Sequence, residues 1–162
     1  MSKIITASSS EKGTINGVKG DQTGKEVYER SYYEFGQSLY FRPADPSDTA
    51  YIVAIARRIA NNQKVGYGQS DRRSIYDLLK RNGWQSAKIN QAVNTDCSML
   101  VAVVVNCLYE AEICGPDTYT GNLSERLYSS GIFSRGKISK YYKPQAGDIV
   151  LAPNKHVVIV SG

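Results

Sequence analysis

The sequence predicts an α+β domain, with helices packed on a small antiparallel sheet, and three observations carry that reading. Apolar residues recur at helical spacing within residues 46–92, and an almost wholly apolar stretch follows residue 95. Residues 148–160 then change to two β-favouring runs joined by a tight turn. Helices first and paired strands last favour segregated α+β over alternating α/β. The 162 residues suit a single domain spanning 1–162. It divides into a turn-rich, aromatic N-terminal arm (1–45), a helical subregion (46–92) and a C-terminal part (93–162).

In the arm, Gly13, Gly17, Gly20 and Gly24 recur among Ser, Thr, Asn and Asp, which predicts an extended, turn-rich segment over the first 26 residues. Tyr28, Tyr32, Tyr33, Phe35, Tyr40 and Phe41 follow, and Leu39–Pro43 reads as a strand stopped by proline. Asp45-Pro46-Ser47 then opens a helix carrying Ile52, Ile55, Ala56 and Ile59, which runs to Asn61-Asn62. Ser70-Asp71 opens a second helix, through Ile75, Leu78 and Leu79 to Asn82-Gly83. A short helix is expected at 86–92. Thr95-Asp96 caps a buried helix through Met99–Leu108, expected to end near Cys114-Gly115-Pro116 despite its β-branched valines. Another short helix fits 121–130. Asp148–Ala152 and His156–Val160 read as a hairpin.

Composition narrows the function classes. Hydrophobic residues make up 41% and charged residues 22%, near the values for folded proteins, which excludes wholesale disorder. No apolar run approaches the ~18 residues that span a bilayer. The N-terminus lacks the apolar core of a secretory signal, so synthesis in a host cytoplasm is expected. The formal charge of +5 predicts affinity for polyanions, among them nucleic acid, anionic lipid and the Gram-positive wall. Three cysteines, Cys97, Cys107 and Cys114, are an odd set for a disulfide framework. With one histidine and no Cys-x-x-Cys pair they make no zinc site, so neither metal nor cofactor is expected.

Cys97 stands apart because it falls at the start of the buried helix. Unpaired amides and the helix dipole there favour an anion and are expected to lower the thiol's pKa. Cys107 and Cys114 read as small buried hydrophobes. His156, the sole histidine, begins a strand after a turn. A thiolate-prone cysteine and an imidazole are the two parts a cysteine acyl-transfer enzyme needs, the ring taking the thiol proton and returning it to the leaving amine. By itself, a histidine at a strand start is more often an ordinary half-buried residue.

Asn94-Thr-Asp-Cys-Ser-Met-Leu-Val101, Lys143-Pro-Gln-Ala-Gly-Asp-Ile-Val-Leu151 and His156-Val-Val-Ile-Val160 together resemble the core of the NlpC/P60 peptidoglycan hydrolases. Upstream, Gly20-Asp-Gln-Thr-Gly-Lys-Glu-Val27, Arg30-Ser-Tyr-Tyr33, Arg42-Pro43 and Val65-Gly-Tyr-Gly-Gln69 with Arg72 resemble NlpC/P60-like catalytic domains of phage endolysins from Gram-positive hosts. The resemblance covers nearly the whole chain. It implies a papain-like α+β domain that cuts an amide bond in the stem peptide of peptidoglycan, with Cys97 as nucleophile and His156 as base. It also implies action on the wall after release and a wall-binding domain downstream in a longer parent chain. Asp96 and Ser98 match motif positions, although capping and packing explain them equally well, and Tyr67 matches an aromatic that lines the cleft.

One departure stands out. The family's third polar residue, on the strand after the histidine, has no counterpart before Gly162. A residue beyond Gly162, a backbone carbonyl or the N-terminal arm could supply it. Asp21 and Gln22 are the arm's candidates, for that role or for holding the stem peptide. Rival readings are an N-acetylmuramoyl-L-alanine amidase using the same dyad, a non-catalytic wall-binding module, and a nucleic-acid-binding module built on the basic charge and tyrosines. The last has no nucleic-acid motif behind it, so the expected partner is peptidoglycan, not nucleic acid or membrane.

Overall fold

The computed structural model describes residues 1–8, 18–21 and 23–162. In chain order it contains β1 (Lys3–Ala7), β2 (Val27–Ser31), β3 (Leu39–Pro43), α1 (Asp48–Ala60), β4 (Val65–Tyr67), α2 (Arg73–Arg81), a 3₁₀ turn (Ser86–Lys88), β5 (Val93–Thr95), α3 (Cys97–Tyr109), α4 (Leu123–Ser129), β6 (Phe133–Lys137), β7 (Ile149–Ala152) and β8 (His156–Val160). Six strands form one sheet in the order β2-β1-β8-β7-β3-β6, with every neighbouring pair antiparallel. β4 and β5 pair in parallel as a separate two-stranded sheet. The architecture is α+β, as the sequence predicts.

The first element is a regular strand within what the sequence reads as an extended, turn-rich segment. β1 lies inside the sheet between β2 and β8, with Ile4 opposite Val160 and Ile5 opposite Ile159. Its Lys-Ile-Ile-Thr-Ala sequence is buried at four of five positions, as an interior strand requires. Later in the arm, Gly20 docks on the two-stranded sheet, its amide donating to the Val93 carbonyl (3.2 Å) and Asn94 Oδ1 (3.1 Å). The chain passes so close to β4 that a Cβ on Gly66 would collide with the Gly20 carbonyl.

Strand alternation sorts the sheet's side chains onto two faces. Ile5, Phe41, Ile149, Leu151, Val157 and Ile159 enter the main core with α1, α2 and α3. Ile4, Val150, Val158 and Val160 point the other way, beneath Tyr32, Tyr33, Phe35, Tyr40 and Tyr142. The central helix is α3, whose residues Ser98–Cys107 are all buried. Burying each Val or Leu side chain there stabilises the fold by roughly 1.5–3 kcal/mol before entropy is counted, which overrides the modest helix propensity of valine.

Two helix boundaries differ from expectation. α3 stops at Tyr109, short of Cys114, because Glu110 takes a left-handed conformation (φ 51°) and its amide caps the Asn106 and Cys107 carbonyls. Buried Asn106 then holds the following loop, accepting from the Ile113 and Cys114 amides and donating to the Cys114 carbonyl. The helix expected at 86–92 is only a single 3₁₀ turn. Asn82 fixes it by accepting from the Gln85 amide and donating to the Lys88 carbonyl.

Candidate active site

A cleft of about 720 Å³ opens where β1 ends, β8 begins and α3 starts. Cys97 and His156 both line it, with Tyr33, Phe35, Tyr67 and Tyr119 as aromatic walls. Asp96 builds the helix start. Its backbone is extended, and its Oδ1 accepts from the Met99 amide (2.8 Å) and the Ser98 hydroxyl (3.2 Å). Its Oδ2 accepts from Arg72 Nε at 2.5 Å, and Arg72 also reaches the Ser98 hydroxyl and the Thr118 carbonyl. This web fixes Cys97 as the first helical residue.

Cys97 is half-buried, and the backbone amides of Val157, Ser98 and Cys97 itself favour its thiolate. The amides pull the thiol's pKa down, but burial together with the Asp96 carboxylate outweighs them and pushes it up to about 11. The expectation of a lowered pKa is therefore corrected: desolvation of the thiol and the adjacent Asp96 carboxylate outweigh what the helix-start amides contribute. Cys107 and Cys114 are free and buried, as expected, and burial pushes them up to about 12 and about 11.

His156 Nε2 lies 3.0 Å from Thr6 Oγ1, a contact between residues 150 apart in sequence. Phe35 packs edge-on against the imidazole, with centroids 5.2 Å apart and planes at 80°. Burial lowers the ring's pKa below its ordinary value. Gln37 secures the loop carrying Phe35, accepting from the Phe35 amide (2.8 Å) and donating to the Tyr32 hydroxyl (2.9 Å).

A model of the endolysin-like domain matches residues 4–162. The chain belongs to the endolysin-like domain family. Membership supports a cell-wall-related role of the phage endolysin type. No curated protein and no solved structure matches the chain.

In this endolysin-like domain, the residues singled out from sequence separate spatially. Cys97, His156, Tyr67, Asp96 and Ser98 all line the cleft. Tyr67 is 8% exposed, and its hydroxyl accepts from Gln69 Nε2 at 3.0 Å. Asp21 is not among the lining residues: its Oδ1 accepts from the Gly24 amide (2.8 Å), and its own amide bonds the Gln63 carbonyl. Gln22 lies outside the described residues. Asp148, from the Gly-Asp motif, is fully buried in a two-pronged pair with Arg42 (2.8 Å to each oxygen) and accepts from the Tyr142 hydroxyl, so it anchors β7 and does not reach the cleft. Among the described residues, no group of three or more His, Cys, Asp or Glu side chains could hold a metal ion. Sequence reasoning missed Thr6, Phe35, Gln69 and Tyr119. For Thr6 a signal existed: a hydroxyl inside a buried strand must find a partner.

Proposed function

We propose that this endolysin-like domain is a peptidoglycan hydrolase of papain-like NlpC/P60 type, cutting a stem-peptide amide bond by Cys97–His156 nucleophilic catalysis. One observation carries the reading: the molecule's only imidazole and its one half-buried thiol line the same cleft, and the thiol sits on the first residue of a helix.

Burial raises the Cys97 thiol, so near neutrality it rests mainly protonated, and its proton must leave before or as the sulfur–carbon bond forms. His156 takes that proton. The Cys97 amide, at the helix start, donates to the oxyanion of the tetrahedral intermediate. The imidazolium next protonates the leaving amine, giving a thioacyl-enzyme. A water that loses its proton to His156 then hydrolyses the thioester and frees the thiol. Tyr67 and the other aromatic walls hold the peptide and keep bulk water from the intermediate.

The test is clearing of purified Gram-positive walls by the wild type and by Cys97→Ala and His156→Ala, each checked for an unchanged melting transition. Clearing is expected to vanish in both variants, and clearing that persists in Cys97→Ala would defeat the proposal. Mass spectrometry of the released fragments identifies the bond: new stem-peptide termini support an endopeptidase, and free lactyl groups indicate the amidase.

A further inference from the structure

The tie between β1 and β8 gives Thr6 a role that no sequence motif points to. We infer that Thr6 is the positioning residue of the dyad, its hydroxyl accepting from Nε2–H of His156 so that unprotonated Nδ1 is presented to the cleft. The inference rests on the proposed Cys97–His156 chemistry and names the third group that chemistry needs.

Geometry carries the argument. Ile4 and Ile5 face Val160 and Ile159 across antiparallel strands, so the register places Thr6 opposite Val158. His156 lies two residues from Val158 on the same strand and hence on the same face, diagonal to Thr6 and within reach. The observed 3.0 Å contact is that diagonal. Thr6 is 2% exposed, so water does not compete for its hydroxyl, and Phe35 closes over the ring edge-on.

A ring fixed through Nε2 keeps Nδ1 as the nitrogen open to a thiol proton. A hydroxyl also differs from a carboxylate in bringing no charge. It orients the ring without holding the imidazolium, and so leaves a neutral imidazole and neutral thiol at rest. In the cycle, Nε2–H stays on Thr6 while Nδ1 gains and loses one proton, so no proton is left over.

The sole histidine makes the test direct, because long-range ¹H–¹⁵N correlation of the full chain shows a single imidazole. Above the ring's titration, the wild type is expected to show the Nε2–H tautomer. Thr6→Val, which keeps the shape and removes the acceptor, should give mixed tautomers and lower kcat by about tenfold with KM little changed, whereas Thr6→Ser should restore both. An Nδ1–H tautomer in the wild type would overturn the inference without any variant, and so would a Thr6→Val spectrum identical to the wild type's. These readings depend on the ring alone. If walls prove not to be the substrate, the hydrolase proposal fails while the tautomer result stands.

Discussion

At the scale of single residues, the site differs from a thiolate–imidazolium pair in which both groups are charged at rest. Burial raises Cys97 to about 11 and lowers His156, so each is neutral near pH 7. Two consequences can be measured. Site-resolved alkylation of Cys97 should be slow at neutral pH and accelerate only well above the ordinary thiol range; a thiolate titrating below pH 7 would contradict the neutral resting state. The pH–rate profile should rise on an imidazole limb below about 6.5 and then hold level through neutrality, since the base must be unprotonated. The same shift links to stability. The unfolded chain binds the His156 proton more readily, so the stability contributed by the neutral ring is complete above about pH 6.5. It is lost as pH falls from there towards the depressed folded value, and His156→Gln should flatten that part of a denaturation–pH curve. Because the proposed steps use only groups of the protein and water, prior EDTA treatment should leave wall clearing unchanged.

At the scale of elements, the start of α3 depends on structure upstream of it. Asp96 serves as both cap and ion-pair partner, so Asp96→Ala should cost about 2 kcal/mol in urea unfolding, and Asp96→Asn, which keeps the cap, should recover about half. Gly66→Ala should cost at least as much, because the new methyl would meet the Gly20 backbone and Asn94 Oδ1, neither of which is a flexible chain end. The same elements show what the sequence made legible. α1, α2, α3 and the β7–β8 hairpin announce themselves through caps and periodicity, which are local signals. Cys97 and His156, which line one cleft, are legible as candidates because reactive side chains at a helix start and a strand start are local features too. β4 and β5 have three residues each, too few for a period, and their partner lies across the chain. β1 was obscured by the glycine-rich stretch after it, and Thr6 with it, because its meaning depends on a strand 150 residues away. Asp21 is not among the residues lining the cleft, because a motif position says which residues recur together, not which way a turn aims its carboxylate.

At the scale of the whole molecule, the positive charge is unevenly placed. Residues 134–143 carry Arg135, Lys137, Lys140 and Lys143 with no acidic residue among them. Arg135 is paired with Glu125, while the three lysines are exposed and have no ion pair among the described residues. They lie on β6 and the segment after it, and β6 is the sheet-edge strand separated from β8 by β7 and β3. Edge lysines also discourage strand-to-strand aggregation, which alone would explain Lys137. It does not explain Lys140 and Lys143, which follow the strand. A cationic rim set apart from the cleft should draw an anionic wall surface without touching the scissile bond, and its pull should weaken as salt shortens the screening length. Reversing Lys137, Lys140 and Lys143 to Glu should therefore reduce co-sedimentation with intact walls at low salt and remove most of its salt dependence. Hydrolysis of small soluble muropeptides should stay near the wild-type rate, because no residue of the cleft has changed. If co-sedimentation and its salt dependence survive the reversal, adsorption lies elsewhere on the molecule; if muropeptide hydrolysis falls in step, the rim and the cleft are not separate.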